Sequence, residues 1–362
     1  MDMLAHQFSR LGHEVVVLAP RPNDWRRLDI ASVPYRVAWH LRFRSTRWFV
    51  AWHGRWLATL HRKHKFDVLH CHDIYPTGYV AACCAAAADV PLVITSHGGD
   101  LDATSVLARK PQLSSRYVFA LKRAAAVIAV SSFTQRRFWE VLPQVRVERI
   151  PNGVDLARFD TAAARPVALS PTIRSGDYLL FLGRLERRKG VDVLLDAFRL
   201  IAGESDIKLA IAGQGAERSA LEAQAQHLSL AGRVKFLGLV DGDIKTWLLQ
   251  HALCTIVPSR ISEAFAVVVL ESYASGRPVI ASRLPGLADL ITPEQTGLLV
   301  PPESPEALAQ ALRAVLGRRD RLEEMGQQAR RVAQDYDWQR IAGRHVALFE
   351  ELIAEAARRR AV

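Results

Sequence analysis

The chain has 362 residues, 49% of them hydrophobic and 23% charged, with a formal net charge of +11; this is ordinary globular chemistry and enough length for two domains, each with its own core. Its four cysteines, Cys71, Cys83, Cys84 and Cys254, show neither C-x-x-C nor zinc-ligand spacing, and the adjacent pair cannot close an ordinary staple. A reducing, cytoplasmic setting is therefore expected rather than a disulfide or zinc framework. The longest near-apolar run, Tyr79 to Ala88, is about half a membrane span, and no basic segment leads into an apolar core at the start, so neither a span nor a secretory leader is expected.

In chain order, Met1 to Leu11 carry a helical pattern with Gly12 as C-cap, and the first β-branched run, Glu14 to Leu18, follows it. A doubly wound sheet normally opens with a central strand and a Gly-rich turn. The expectation is therefore that the N-terminal first strand is missing from this chain, with about twenty residues preceding the recorded start. Ile30 to Phe66 contains no Asp or Glu but carries Arg36, Arg42, Arg44, Arg47, Arg55, Arg62, Lys63 and Lys65, together with Trp39, Trp48, Trp52 and Trp56. On a helix the last three tryptophans recur at i, i+4 and i+8 and form one aromatic stripe flanked by cations. Such a stretch suits either an anionic membrane surface, met through residues 36–65, or a solvated basic helix whose tryptophans pack on their own domain. No nucleic-acid motif accompanies it, and nucleic acid is not an expected partner.

Short β-branched runs then alternate with helical patterns: Val68 to Cys71, Leu92 to Ser96, Val127 to Val130, Tyr178 to Leu182, Lys208 to Ala212, Val234 to Leu237, Cys254 to Val257 and Pro278 to Ala281. That rhythm implies parallel sheets covered by helices. Thr161 to Gly176 contains Pro166 and Pro171 with no clear periodicity and reads as a linker. The expected layout is two Rossmann-like α/β domains over 1–165 and 166–336, with a long amphipathic helix in 337–362 packing back across the cleft between them.

Val257 to Val279 is the most informative stretch. A strand ends at Val257, a loop carries Ser259 to Glu263, and a helix is predicted to about Ser275, with Gly276 as C-cap and Pro278 as terminator. Glu263 then sits at the helix N-terminus, and Glu271 lies about 12 Å along the axis, turned by about 80°. The two carboxylates can address different parts of one extended ligand. Between them the N–H groups of Phe265, Ala266 and Val267, in a turn opened by Ala264, make an anion site suited to a pyrophosphate.

This pattern resembles the Glu-x7-Glu signature of glycosyltransferase family 4, the group 1 type, and the resemblance extends over nearly the whole chain. Ile150-Pro151-Asn152-Gly153-Val154-Asp155 with Phe159 is similar to that family's interdomain hallmark, and Leu182-Gly183-Arg184 followed by Lys189-Gly190 to its donor-phosphate clamp. Thr95-Ser96-His97-Gly98, Ala129-Val130-Ser131, Ala212-Gly213-Gln214-Gly215, Phe236-Leu237-Gly238 and Gly297-Leu298-Leu299-Val300 match in order and approximate spacing. The resemblance implies a GT-B fold and a retaining, metal-independent transfer of a hexose-type sugar. The donor would be a nucleoside-diphosphate sugar and the acceptor a glycan or a lipid-linked one, in cell-envelope or exopolysaccharide synthesis at the inner face of a membrane. No cofactor and no metal are expected.

The resemblance also assigns roles. Glu263 would contact the hydroxyls of the transferred sugar, Glu271 the ribose, and Gly213 the donor, with the base met through the backbone at Leu239 and Val240. His97, at the end of the run Leu92 to Ser96, would contact the transferred sugar or the acceptor. Breaking a sugar–phosphate bond builds negative charge on the departing diphosphate, which Arg184, Lys189 and the helix start at Ala264 to Val267 would receive.

The sequence departs from the family at Ala266, where glycine is usual and a methyl would narrow the phosphate approach. In Arg283 to Asp289, only Gly286 and Asp289 remain of a segment that usually holds two adjacent glycines and an acid. Two D-x-D triplets, Asp100-Leu101-Asp102 and Asp241-Gly242-Asp243, could serve a metal, but the second precedes Ile244-Lys245-Thr246-Trp247 as a helix cap would. His70-Cys71-His72-Asp73 looks metal-like, yet strand side chains alternate between faces and are not expected to converge. Three other classes remain in view. A nicotinamide enzyme is suggested by Gly213-Gln214-Gly215 and opposed by Arg218 in place of the third glycine. A sugar-nucleotide epimerase of similar architecture and a catalytically inactive GT-B nucleotide-binding module are the others.

Overall fold

The computed structural model describes residues 2–20, 36–40, 47–88, 90–101, 111–167 and 169–361. It consists of two compact units, Met1–Asn152 with Trp338–Val362, and Gly153–Asp337.

Unit 1 runs α1 (Asp2–Arg10), β1 (Val16–Pro20), β2 (Arg36–His40), α2 (Arg47–His64), β3 (Leu69–Cys71), α3 (Tyr79–Ala88), β4 (Leu92–Ser96), α4 (Pro111–Arg123), β5 (Ala126–Ala129), α5 (Ser132–Val141) and β6 (Val147–Arg149). Strands β3-β4-β5-β6 form one parallel sheet in that order, and β1 pairs in parallel with β2. β1 and β3, which would flank the opening strand of a doubly wound order, share no ladder. The period of two decides the layers: Leu92, Ile94, Val127 and Ala129 pack with α2 to α5 through Leu57, Ala82, Leu121 and Phe138. Val93, Ala126 and Ile128 point the other way, onto Ile341, Leu348, Phe349 and Leu352.

Unit 2 runs α6 (Ala157–Asp160), β7 (Tyr178–Leu182), α7 (Val191–Ile201), β8 (Lys208–Ala212), α8 (Arg218–His227), β9 (Val234–Gly238), α9 (Gly242–His251), β10 (Thr255–Val257), α10 (Val267–Ala274), β11 (Val279–Ser282), β12 (Gly297–Val300), α11 (Pro305–Leu316) and α12 (Arg319–Ala333). Its sheet is parallel throughout, in the order β12-β11-β10-β7-β8-β9. Leu179, Phe181, Leu209 and Ile211 meet α7, α8 and α11 on one face, whereas Tyr178, Leu180, Ala210 and Ala212 meet α9, α10 and α12 on the other. Burial on both faces is why these strands are nearly continuous apolar runs. The order reverses between β7 and β10, and ligands of such sheets bind beyond the carboxyl ends of the strands at that point.

Helix α13 (Trp338–Arg360) belongs with unit 1. The division between units falls at Asn152, not at the expected residue 165, because the segment that follows is committed to unit 2. Val154 and Phe159 lie in the core with Tyr178 and Trp247, and the N–H of Ala163 donates to Gln250 Oε1 at 2.8 Å. The expected linker Thr161 to Gly176 is a packed strap. It buries Leu169 and Ile173, and the Arg165 guanidinium donates to the carbonyls of Leu169, Ser170 and Ile173 while lying 5.8 Å over the Trp247 ring. One arginine satisfies backbone groups that no ladder reaches.

Candidate functional site

Two loops leave the switch point of the unit 2 sheet. After β7, Arg184 reaches Glu186 at 2.8 Å, and Glu186 also takes Arg188 at 2.8 Å. A short 3₁₀ turn, Arg187–Lys189, is closed by Gly190 at φ 65°. A Cβ at Gly190 would lie 2.1 Å from the carbonyl oxygen of Pro258, so only glycine permits the left-handed turn and the approach of the second loop. The N–H of Arg260 donates to the Arg188 carbonyl at 2.9 Å and ties the loops together. Lys189 is thereby aimed at Glu263: its Nζ lies 2.7 and 2.8 Å from the two carboxylate oxygens. The Ser259 hydroxyl donates to Oε1 of the same group. Glu263 is 8% exposed, so this is a largely desolvated, charge-assisted pair.

The helix after this loop starts later than the sequence suggests. Ala266 is the N-cap and α10 begins at Val267, leaving Glu263 to Phe265 outside it. Gly286 (φ 88°) lies against the loop so closely that a Cβ there would be 1.9 Å from the Glu263 carbonyl oxygen, so only glycine fits at 286. The helical spacing expected of Glu263 and Glu271 does not hold. Glu263 turns to Lys189, while Glu271, on α10, accepts from Lys245 Nζ on α9 at 2.6 Å. On helix geometry the N–H groups of Val267 and Val268, in the first turn of α10, have no partner within the helix; the N–H of Val269 donates to the Ala266 carbonyl at 3.0 Å. Ala264 is half-buried in the loop, and the Phe265 ring lies 6.4 Å from that of Tyr336. Ala266 is 3% exposed within the core, at φ −94°. Its methyl packs in that core.

At the same end of the sheet, Gly213 spends its N–H on the Gly238 carbonyl at 2.7 Å, so that amide is committed within the protein. Leu239 is exposed after β9, and Val240 packs on the core. Asp241 takes the N-cap position of α9 without a side-chain capping bond. Asp100 braces its own loop instead of facing outward: it accepts from the Ile74 N–H at 2.8 Å and from the Ser96 hydroxyl. Burial raises its pKa. Asp102 lies outside the described residues.

In unit 1, His97 is exposed at the end of β4. Its Nε2 is 3.1 Å from Nδ1 of His72, with the ring planes within 8° of parallel and the centroids 5.4 Å apart. His70 and His72 do converge, at 4.4 Å between ring centroids: β3 ends at Cys71 and His72 lies in the bend that follows. Nε2 of His70 is 2.7 Å from the Thr95 hydroxyl, and the His345 ring of α13 lies 5.6 Å from His70. Among the described residues no three such side chains are grouped to hold a metal. Desolvation lowers the pKa of all four imidazoles, and charge on neighbouring imidazoles lowers it further for His70, His72 and His345. Lys245 and His345 carried no sequence signal for these contacts, which join residues far apart in the chain; Ser259, four residues from Glu263, was within reach of a loop-level reading.

The chain matches two family models, "Glycosyltransferase Family 4" over residues 1–158 and "Glycosyl transferases group 1" over residues 172–332. A phosphatidyl-myo-inositol mannosyltransferase of Mycolicibacterium smegmatis is 31% identical over 96% of this chain and 88% of its own length. A glycosyltransferase of Rickettsia africae ESF-5 superposes with a TM-score of 0.81 at 19% identity, covering 97% of this chain and 93% of that one. Anabaena Alr3699/HepE in complex with UDP gives 0.78 at 21% identity, over 96% and 94%.

Proposed function

Because the chain belongs to the group 1, family 4 glycosyltransferases of GT-B fold, we propose that it moves a hexose-type sugar from a nucleoside-diphosphate sugar to a glycan or lipid-linked acceptor. Transfer retains the anomeric configuration and uses no resident metal or other cofactor. The observation that carries this is the Lys189–Glu263 pair, with Arg184, beside the start of α10 at the switch point of the unit 2 sheet. The UDP of the Anabaena complex and the mannosyl transfer named for the mycobacterial relative support a nucleotide sugar and a hexosyl group.

Cleavage of the anomeric C–O bond places negative charge on the leaving diphosphate and positive charge on the sugar carbon. In this proposal the diphosphate takes Lys189 Nζ, turned from Glu263, the Arg184 guanidinium and the N–H groups of Val267 and Val268 as partners, which meet the charge that develops on it. Glu263, steadied by Ser259, accepts hydrogen bonds from hydroxyls of the transferred sugar. Glu271, anchored by Lys245, accepts from the ribose, and the backbone at Leu239 and Val240 meets the base. His97 is assigned to the transferred sugar or the acceptor. A thermal-shift panel of nucleoside diphosphates in the presence of chelator, followed by anomeric analysis of the product by NMR, tests the proposal. Stabilisation by one diphosphate and a retained product are expected. An inverted product, or activity lost on chelation and restored by magnesium, contradicts it, and no turnover with any nucleotide sugar favours the inactive nucleotide-binding module.

Two variants separate the roles. Glu271→Ala is expected to weaken donor binding by about 10- to 100-fold, the loss of hydrogen bonds to a charged acceptor, read as a rise in Kd. Arg184 has a side chain 69% exposed, so Arg184→Ala is expected to reduce kcat at least about tenfold while Tm stays within about 2 °C of the wild type, as for surface substitutions generally.

The proposed setting is the cytoplasmic face of a membrane, in cell-envelope or exopolysaccharide synthesis. No described helix is long and apolar enough to cross a membrane, and the attachment proposed is peripheral, through α2. There Arg55, Arg62, Lys63 and Trp52 are exposed and Trp56 is half-buried, while Leu57 anchors the helix to the core. The side chains of Trp39 and Trp48 lie outside the described ones. Flotation with liposomes is expected to require anionic lipid and to weaken with salt; equal flotation with neutral lipid removes the membrane assignment.

A further inference from the structure

We propose that His72 is a positioning residue for His97, setting through one imidazole–imidazole hydrogen bond which nitrogen of His97 carries the proton and how its ring is turned. The inference rests on the reading that His97 meets the transferred sugar or the acceptor. The register of β3 on β4 pairs His70 with Val93 and Cys71 with Ile94, so the chain past β3 carries His72 alongside the end of β4, where His97 stands. Neutral imidazole has one donor and one acceptor. The 3.1 Å approach of His72 Nδ1 to His97 Nε2 therefore shares a single proton, and the state of that bond dictates whether Nδ1 of His97 is left to donate or to accept.

The support behind His72 is itself built. Its ring rests at 4.4 Å on His70, and His70 is fastened by the Thr95 hydroxyl at 2.7 Å and flanked by Phe349 at 5.3 Å and His345 at 5.6 Å. His345 is in turn held by the Ile341 carbonyl at 2.9 Å within α13. Desolvation lowers the pKa of both His72 and His97, against the pull of Asp73 on His97, which favours the neutral pair that a single shared proton requires. Packing alone needs rings; it does not need a nitrogen of His72 turned to the exposed histidine at the end of the sheet.

The discriminating set is His72→Asn, His72→Gln, His72→Phe and His97→Ala in the full chain. The Asn amide reaches the place of Nδ1, the Gln amide reaches the place of Nε2, and Phe keeps the ring without a hydrogen bond. Expected are a kcat for His72→Phe and His72→Gln about tenfold lower with donor KM unchanged, and recovery to within about twofold in His72→Asn. The imidazole ¹⁵N signals of His97 should report an altered tautomer ratio in His72→Gln and His72→Phe, and not in His72→Asn. Should His72→Phe fail to fold, the Asn–Gln contrast decides alone. Wild-type kcat in His72→Gln with an impaired His97→Ala overturns the positioning role and leaves the reading of His97 standing. Wild-type activity of His97→Ala overturns that reading and the inference with it, and unchanged His97 signals in His72→Gln overturn the inference directly.

Discussion

Lys189→Met is expected to lower turnover by about 100-fold or more and to lower Tm, whereas Lys189→Met combined with Glu263→Gln is expected to regain the Tm and not the turnover. The side chains of Lys189 and Glu263 are 17% and 8% exposed. Removing one member of such a pair leaves a desolvated charge, at a cost of about 3 kcal/mol or more, equivalent to a fall of roughly 6–12 °C for a unit of this size. Neutralising Glu263 removes that cost while the Ser259 hydroxyl keeps a partner. Turnover follows a different quantity. A fixed cation at the leaving diphosphate is worth about 10²–10³ in rate, and glutamine cannot replace it. Differential scanning fluorimetry beside steady-state kinetics on the single and double variants checks both halves. A double variant that regained activity would show that Lys189 acts only by balancing Glu263.

Acid is expected to destabilise unit 1 more steeply than unit 2. Burial of His345 lowers its pKa from 6.5 to about 4. The folded-state value is depressed, so the contribution to stability is fully present above about pH 6.5, where neither state is protonated, and is lost as the pH falls toward 4 and the unfolded chain takes up the proton first. For His345 alone this amounts to about 3 kcal/mol. His70, His72 and His97 are lowered too and act in the same direction, while Asp100, raised by burial, opposes them. Hydrogen exchange of the core amides of β4 and β5 against those of β7 and β8, at pH 7, 5.5 and 4.5, is the measurement. His345→Leu should flatten the unit 1 slope, since the Ile341 carbonyl keeps its helical backbone bond. An unchanged slope in that variant would show that the buried imidazole does not govern acid stability.

Local chemistry reached some features of the molecule and not others. The strands of unit 2 were legible because burial on both faces makes them short apolar runs between helices, and the positions of Arg184, Lys189 and Gly190 followed from the strand that precedes them. The start of α10 was not, because Glu263 ahead of an apolar run imitates a first-turn carboxylate, while Gly286, twenty-three residues on, packs against the loop at a distance only glycine allows. The unit boundary differs from the expected one because an aperiodic, proline-containing segment reads alike whether it is free or strapped to a core, and contacts such as those of Arg165, Leu169 and Ile173 distinguish the two. The histidine group escaped for a related reason: His72, just past the end of β3, returns to His70, but His345 arrives from the far end of the chain. Contacts such as Lys245 to Glu271 depend on how α9 and α10 dock on the sheet, which no local pattern encodes.

The most direct test is the crystal structure of the protein with a nucleoside diphosphate, determined in the presence of chelator. The terminal phosphate is expected within about 3 Å of the Val267 and Val268 N–H groups and of Lys189 Nζ, with the ribose hydroxyls on Glu271. A diphosphate seated away from the start of α10, with Lys189 still closed on Glu263, would contradict it.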